Sequence, residues 1–393
     1  MTCRTVRNYA GQTSAAEHLY LLRHFMKILY FSLDYTPHDQ RFLSALSKTE
    51  HDVYYVRLQR GSRQTEDRPI PEKIKVVRWA GGKRAFSWLE LPKMVLDFRR
   101  VATEIQPDLV HAGPIQTCAF IAALSVYKKF PILCMSWGFD LMKDVDRGAG
   151  WRFATRYTLK CSSFFTSDAF ITRSKAVAFG MNPGKTVVFP WGVDLDHFQT
   201  APRLQPVGQS SDFTIFCNRS WEVNYGVDIL AKAFVITAQQ RPEARMLLLA
   251  GGSQGPVIRQ ILEDSKVQDR VQFAGQIGQN DLPNFYRKAD LYISPSHIDG
   301  SSVSLMEALA CGLPCLVSDI PANKEWVTED QNGWLFPDGN AEVLAEKIMN
   351  AIDHKRSLEQ ISLNARKTAE TKADWSANFS KLLFAYEETV KHA

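Results

Sequence analysis

Residues 295–314 read PSHIDGSSVSLMEALACGLP. The four residues before them, LYIS at 291–294, are an apolar run of strand length, and Pro295 ends it. A polar turn follows, with glycine at position 300. From Ser302 the apolar positions take helical spacing, and Gly312 with Pro314 just beyond stops the helix. The stretch is therefore a strand, a tight turn and a short helix. The free amides at that helix start, near Ser302 and Val303, make an anion site suited to a diphosphate. Asp299 precedes the helix and Glu307 lies eight positions on, about two helical turns further in. Two acceptor-only carboxylates at that separation can grip hydroxyls at the two ends of one elongated ligand, a sugar and a ribose.

The same alternation continues outward in both directions. Strand patterns fall at 213–217, 245–250, 271–274 and 315–317, with helical patterns at 226–240, 255–266, 281–288, 302–311 and 341–353. On the other side, strands read at 27–32, 52–58, 75–79, 108–112, 132–137, 169–172 and 186–189, with helices at 40–47 and 91–105. Residues 199–212 carry two prolines, a glycine and no periodicity, which reads as a linker. Alternation on both sides predicts an α/β protein of two Rossmann-like, doubly wound parallel-sheet domains facing a cleft. Ligands in such sheets sit at the carboxyl ends of the strands, and a domain junction is a favoured pocket. The expected units are 26–198, a linker at 199–211, and 212–372, with 373–393 a terminal helix. Residues 1–25 differ in character. Either Met26 is the natural start or these residues are a loosely ordered extension, with an amphipathic helix at 15–25 as the competing reading.

Composition agrees with two cores. The 393 residues exceed one ordinary core, and 45% hydrophobic with 23% charged residues is normal for a globular chain. A net charge of +5 suits an anionic substrate or membrane surface, or equally a few unpaired surface lysines, and falls far short of a nucleic-acid-binding signature. Seven scattered cysteines read as small buried hydrophobes in a reducing compartment, and Cys311 with Cys315 lacks the second pair that zinc needs. No apolar run reaches the length of a membrane span.

The segment 295–314 resembles the signature of retaining glycosyltransferases of family 4, which have the two-Rossmann GT-B fold. Every part of that pattern is present, with Asp299 in place of the more usual glutamate. The resemblance covers roughly residues 26–390 and implies transfer of a sugar from a nucleoside-diphosphate sugar, with retention of configuration. It implies a donor in the C-terminal half, a glycan or lipid-linked acceptor, and a last helix that packs back on the first domain. Asp299 would contact the donor sugar and Glu307 the ribose, with Gly300, Ser301, Ser302 and Val303 completing the cradle. The loop NRSWEVNYG at 218–226 resembles the family's "GR…KG" loop, where Arg219 would neutralise the departing diphosphate. Tyr225 stands where lysine is expected. Gly251 and Gly252 resemble the glycine turn facing the cleft, and VQFAGQI at 271–277, ending at Ile277, resembles the strand that packs on the nucleobase. PWGVDLDHF at 190–198 resembles the strand closing the N-terminal domain.

On the acceptor side, SWGFD at 136–140 resembles the family's "HG-x-D" segment, with Trp137 in the place of histidine. Tryptophan cannot act as a base but can stack on a sugar. Asp140 is a candidate contact. His111 ends the preceding strand, where a structural hydrogen-bonded histidine is an equal reading. His38 and Asp39 follow the first strand and either meet the acceptor or form a solvated turn.

Asp144-Val145-Asp146 and Asp194-Leu195-Asp196 have the form that holds a divalent metal in single-domain GT-A enzymes. The second belongs to the closing strand and the first to a basic surface loop. No metal or other cofactor is therefore expected, Arg219 and the helix start supplying the positive field. Residues 83–89 and 151–157 mix basic and aromatic side chains, which fits either an anionic membrane surface or half-buried helix faces. The expected setting is cytoplasmic, including the inner face of the membrane. Two other function classes stay open: a sugar-nucleotide epimerase on the same fold, and a degenerate sugar-nucleotide-binding protein, which Tyr225 and Trp137 suggest.

Overall fold

A computed structural model of the chain describes residues 25–59, 69–79, 86–200, 212–355 and 358–392. The expectations for residues 1–24, for most of the linker (201–211) and for the basic pair Lys83 and Arg84 lie outside the described residues.

The first sheet takes β1 (Lys27–Ser32), β2 (Asp52–Arg57), β3 (Lys75–Val76), β4 (Leu109–Ala112), β5 (Ile132–Met135), β6 (Phe164–Ser167) and β7 (Thr186–Val188). Their order is β3-β2-β1-β4-β5-β6-β7, and every pair is parallel. The second sheet takes β8 (Phe213–Cys217), β9 (Ala244–Leu249), β10 (Val271–Gly275), β11 (Leu291–Ser294), β12 (Cys315–Ser318) and β13 (Gly333–Phe336), in the order β10-β9-β8-β11-β12-β13, again all parallel. β4, β5, β6, β11 and β12 are buried along their whole length. Helices cover both faces of such sheets, so these strands are apolar on both sides and read as unbroken hydrophobic runs.

In each sheet the strand order reverses beside the first strand, between β1 and β4 and between β8 and β11. A crevice opens at such a switch point outside the carboxyl ends of the strands. The loops leaving β5 and β6 meet those leaving β8 and β11. Lys143 Nζ donates to Asn224 Oδ1 at 2.8 Å, and Ser301 N–H donates to Asp168 Oδ2 at 2.7 Å. The helix Phe170–Ala178 has no cap of its own, and Glu325 from the second domain supplies one. Its carboxylate accepts from the amides of Phe170 at 3.0 Å and Ile171 at 2.9 Å.

The chain then returns. Val193 N–H donates to Ala373 O and Trp375 N–H to Val193 O, so the end of the first domain is tied to the start of the last helix, Trp375–Lys391. That helix packs against β4, β5, β6 and β7, with Leu382, Ala385 and Tyr386 fully buried in the first domain's core.

Two local expectations are corrected. The strand expected at 169–172 lies five residues earlier, as β6, and Ala169–Thr172 begins a helix instead. An apolar run alone does not separate a buried strand from a helix's first turn, and the capping carboxylate is 155 residues away. The sixth strand of the second sheet, β13, is an addition.

Candidate active site

Arg219 lies just beyond β8 and the turn 295–302 just beyond β11, so they flank the second sheet's switch point. The guanidinium is nearly buried, with its side chain 11% exposed. One Nη donates to Ser302 Oγ at 2.8 Å and Ser304 Oγ at 3.0 Å, and the other to Asp299 Oδ2 at 2.7 Å. Burial is the largest influence and works against its charge, but the Asp299 carboxylate with Tyr292, Tyr225 and Cys217 together raise its pKa above the usual arginine value. Its Nε–H is sealed from solvent and has no hydrogen-bond partner among the described residues. The Tyr225 ring lies 4.3 Å from the guanidinium carbon. The residue in the lysine's place therefore supports the arginine by a cation–π contact and brings no second charge. The loop closes at Gly226, whose φ is +58° and where a Cβ would overlap the Pro295 carbonyl. Only glycine serves both demands.

Ser302 caps the helix Val303–Ala310, its Oγ accepting from Leu305 N–H. Glu307 is 4% exposed, inside the helix's second turn. Gln279 Nε2 donates to its Oε1 at 2.9 Å and Tyr286 OH to its Oε2 at 2.8 Å. Burial pushes its carboxyl up, while those two donors and Arg41 act to keep it ionised. A cavity of 1130 Å³ opens beside this end of the site, with Arg41, His197, Gln279, Trp375 and Phe379 in its wall. The Gly251–Gly252 turn is latched to the Arg219 loop by Trp221 N–H donating to Gly251 O at 2.9 Å. Ile277 is half-buried beyond β10.

On the first domain's side, His38 and Trp137 meet edge to face, with ring centroids 5.7 Å apart, and both are half-buried. Three other residues expected there point elsewhere. His111 is 1% exposed and interior, its Nδ1 at 2.8 Å from Tyr386 OH and its Nε2 at 3.3 Å from Met135 Sδ. Burial drives its pKa down to about 3, so it stays neutral. Asp39 turns inward as the capping-box residue of the helix Pro37–Leu46, accepting from Thr36 N–H and Tyr30 OH. Asp140 is fully buried and accepts from Ser136 OH, Leu141 N–H, Ile115 N–H and Trp137 N–H, pinning the loops after β4 and β5. All three are buried and spend their polar atoms on partners inside the protein. The paired aspartates are also engaged: Asp144 with Arg147, Asp146 with Arg152, and Asp194 with the amides of Asp196 and His197.

Burial pushes Asp39 and Asp140 each up to about 6, against the donors around them. A carboxyl with a folded value above its unfolded one binds its proton more tightly when folded. Its stability contribution is full below pH 4 and is lost as pH rises through about 6. We expect Asp140→Asn to lower the thermal midpoint by the equivalent of ~1–3 kcal/mol, because its amide opposes N–H donors. Across pH 4–7 the fall of midpoint with pH should be shallower than in the wild type, which paired melting curves would show.

Asp168, Gln279, Tyr286 and Glu325 bear on the site and have no motif to announce them. Their partners lie between 21 and 155 residues away in sequence.

The architecture is that of two-domain sugar-nucleotide enzymes. The family described as Glycosyl transferase 4-like matches residues 27–169 and Glycosyl transferases group 1 matches 206–368. The chain belongs to this glycosyltransferase family. A mannosylfructose-phosphate synthase of Agrobacterium fabrum is 27% identical over 172 residues, 42% of this chain and 38% of that protein. A phosphatidyl-myo-inositol mannosyltransferase of Mycobacterium tuberculosis is 27% identical over 207 residues, 51% of this chain and 53% of that protein. The chain thus spans about half or less of the curated relatives it matches. Among solved structures, Anabaena Alr3699/HepE in complex with UDP superposes with a TM-score of 0.76 at 19% identity, covering 92% of this chain and 100% of that one. At that identity the likeness speaks for the fold.

Proposed function

We propose that the chain transfers a sugar from a nucleoside-diphosphate sugar to a glycan or lipid-linked acceptor, with retention at the anomeric carbon. One observation carries the reading. A nearly buried arginine and the capped start of a helix converge on the same turn at the second sheet's switch point, where a diphosphate can be held from both sides. Arg219 and the amides near Ser302 and Val303 would take the diphosphate, Asp299 the sugar and Glu307 the ribose. Retention follows from the family resemblance. Departing charge would be met by Arg219 and helix amides, so we propose a mechanism independent of divalent metal. His38 and Trp137 would line the acceptor side.

Incubation with a panel of uridine, guanosine and adenosine diphosphate sugars tests the reading. Nucleoside-diphosphate release that depends on an added acceptor, undiminished by chelator, supports it. Interconverted donor sugar without an acceptor would establish an epimerase, and tight binding without turnover a degenerate binder.

We also propose work at the inner face of a membrane, in polysaccharide or lipid-linked glycan synthesis. Among the described residues no helix is long and apolar enough to cross a membrane. An aromatic cluster on the first domain has exposed members around the buried Phe120. Trp88 packs on Phe120 and Trp151, and Phe120 on Phe153. Leu89 is 94% and Phe153 58% exposed, and the Arg147 guanidinium lies 4.1 Å over the Trp151 ring. Exposed apolar side chains beside an arginine suit an anionic lipid surface. Cosedimentation with phosphatidylglycerol-containing vesicles is expected at low salt, with loss at high salt and in Leu89→Glu/Phe153→Glu. Failure to bind at any salt would remove this part.

A further inference from the structure

Asp168 follows β6 in the first domain, yet its carboxylate ends inside the second domain's turn. It is 5% exposed. Oδ2 accepts the Ser301 N–H at 2.7 Å, while Oδ1 is sealed from solvent with no hydrogen-bond partner among the described residues. A Cβ on Gly300 would lie 2.6 Å from Oδ2 and 3.0 Å from Oδ1, so the carboxylate occupies the space a side chain at 300 would need. The third wall is Gly138, where a Cβ would come within 3.2 Å of Gly300 Cα. Ser301 is fixed from its other side by Trp326 Nε1, which donates to its Oγ at 2.9 Å.

We propose that Asp168 is a positioning residue for the donor sugar, reaching across the cleft to set the depth of the Gly300–Ser301 turn. The proposal rests on the donor-site reading above. Asp299, which would hold the sugar, is covalently joined to this turn and bonded to Gly300 N–H at 3.1 Å. Moving the turn therefore displaces Asp299 most, because the helix start is separately anchored by the Ser302 cap on Leu305 N–H and by Arg219 on Ser304. An unsatisfied acceptor inside a sealed pocket is costly unless a ligand or a proton occupies it.

The charged neighbours are Asp299 with its partner Arg219, Asp140 on the adjoining wall, and Glu325 at the start of the helix after Asp168. Burial first, then Asp299 and Asp140, push the Asp168 carboxyl up to about 7, with the Ser301 amide pulling the other way. Ionisation near pH 7 adds negative charge beside an anionic donor, so donor kcat/KM falls as pH rises through that range.

The test uses the full chain and the nucleoside diphosphate and nucleotide sugar that most raise the wild-type thermal midpoint. Asp168→Ala should raise the donor KM about tenfold, the scale of one lost buried hydrogen bond to a charged group, while the calorimetric Kd for the nucleoside diphosphate alone stays unchanged. Asp168→Asn keeps an acceptor for Ser301 and should restore most of that KM, with the pH-dependent fall absent. Gly300→Ala should be severe alone and add little on Asp168→Ala, where the carboxylate no longer occupies the space. A wild-type donor KM in Asp168→Ala, or an equal loss of affinity for the nucleoside diphosphate, overturns the proposal. A wild-type protein that binds no nucleoside diphosphate overturns the donor-site reading itself.

Discussion

Arg219→Ala should reduce turnover by about 100-fold or more, the usual penalty for removing a preorganised group that stabilises developing charge. The residue sits where the effect is largest, because its side chain is 11% exposed and nearby water can do little to replace it. It also holds Ser302, Ser304 and Asp299 together, so its loss leaves Asp299 without its cation. Arg219→Lys separates the two contributions. Lysine keeps the charge but cannot span the serine pair and the carboxylate in one plane, so an intermediate loss of about tenfold is expected. Steady-state kcat in both variants, with thermal midpoints alongside, checks this. Unchanged turnover in Arg219→Ala would remove the arginine from the mechanism.

Glu307→Gln should raise the donor KM tenfold or more while altering kcat less. The carboxylate receives hydrogen bonds from Gln279 and Tyr286. An amide in its place would turn an N–H₂ toward one of these donors and leave a buried polar pair unmatched, at ~1–3 kcal/mol. The ribose is common to nucleotide sugar and free nucleoside diphosphate, so both should weaken together. That pattern differs from the one expected at Asp168, where only the sugar-bearing ligand loses affinity. Calorimetry with the two ligands distinguishes the roles. Equal affinity of the wild type and Glu307→Gln for both would exclude a ribose contact.

What could be read from the chain follows the range of each interaction. Arg219, Asp299 and Glu307 were legible because each belongs to a strand–turn–helix unit whose stop signals are local. The two parallel sheets were legible because strands buried on both faces are uninterrupted apolar runs. His111, Asp39 and Asp140 show the limit of such reading. Position at a strand end is visible in sequence, but the direction of the side chain is fixed by partners such as Tyr386, Tyr30 and Ile115. Asp168 was invisible for the same reason: its meaning comes from Ser301, 133 residues later. The shift of β6 has that origin too, since the helix after it is capped by a residue from the other domain.

That borrowed cap has a mechanical consequence. Glu325 and Asp168 cross the interface in opposite directions, one carboxylate from each half bonded to amides of the other. Any hinge-like widening of the groove at this edge breaks both sets of contacts, separating two carboxylates from three amides. Separating the halves along that edge therefore carries a fixed hydrogen-bonding cost, which biases the groove toward its narrow arrangement.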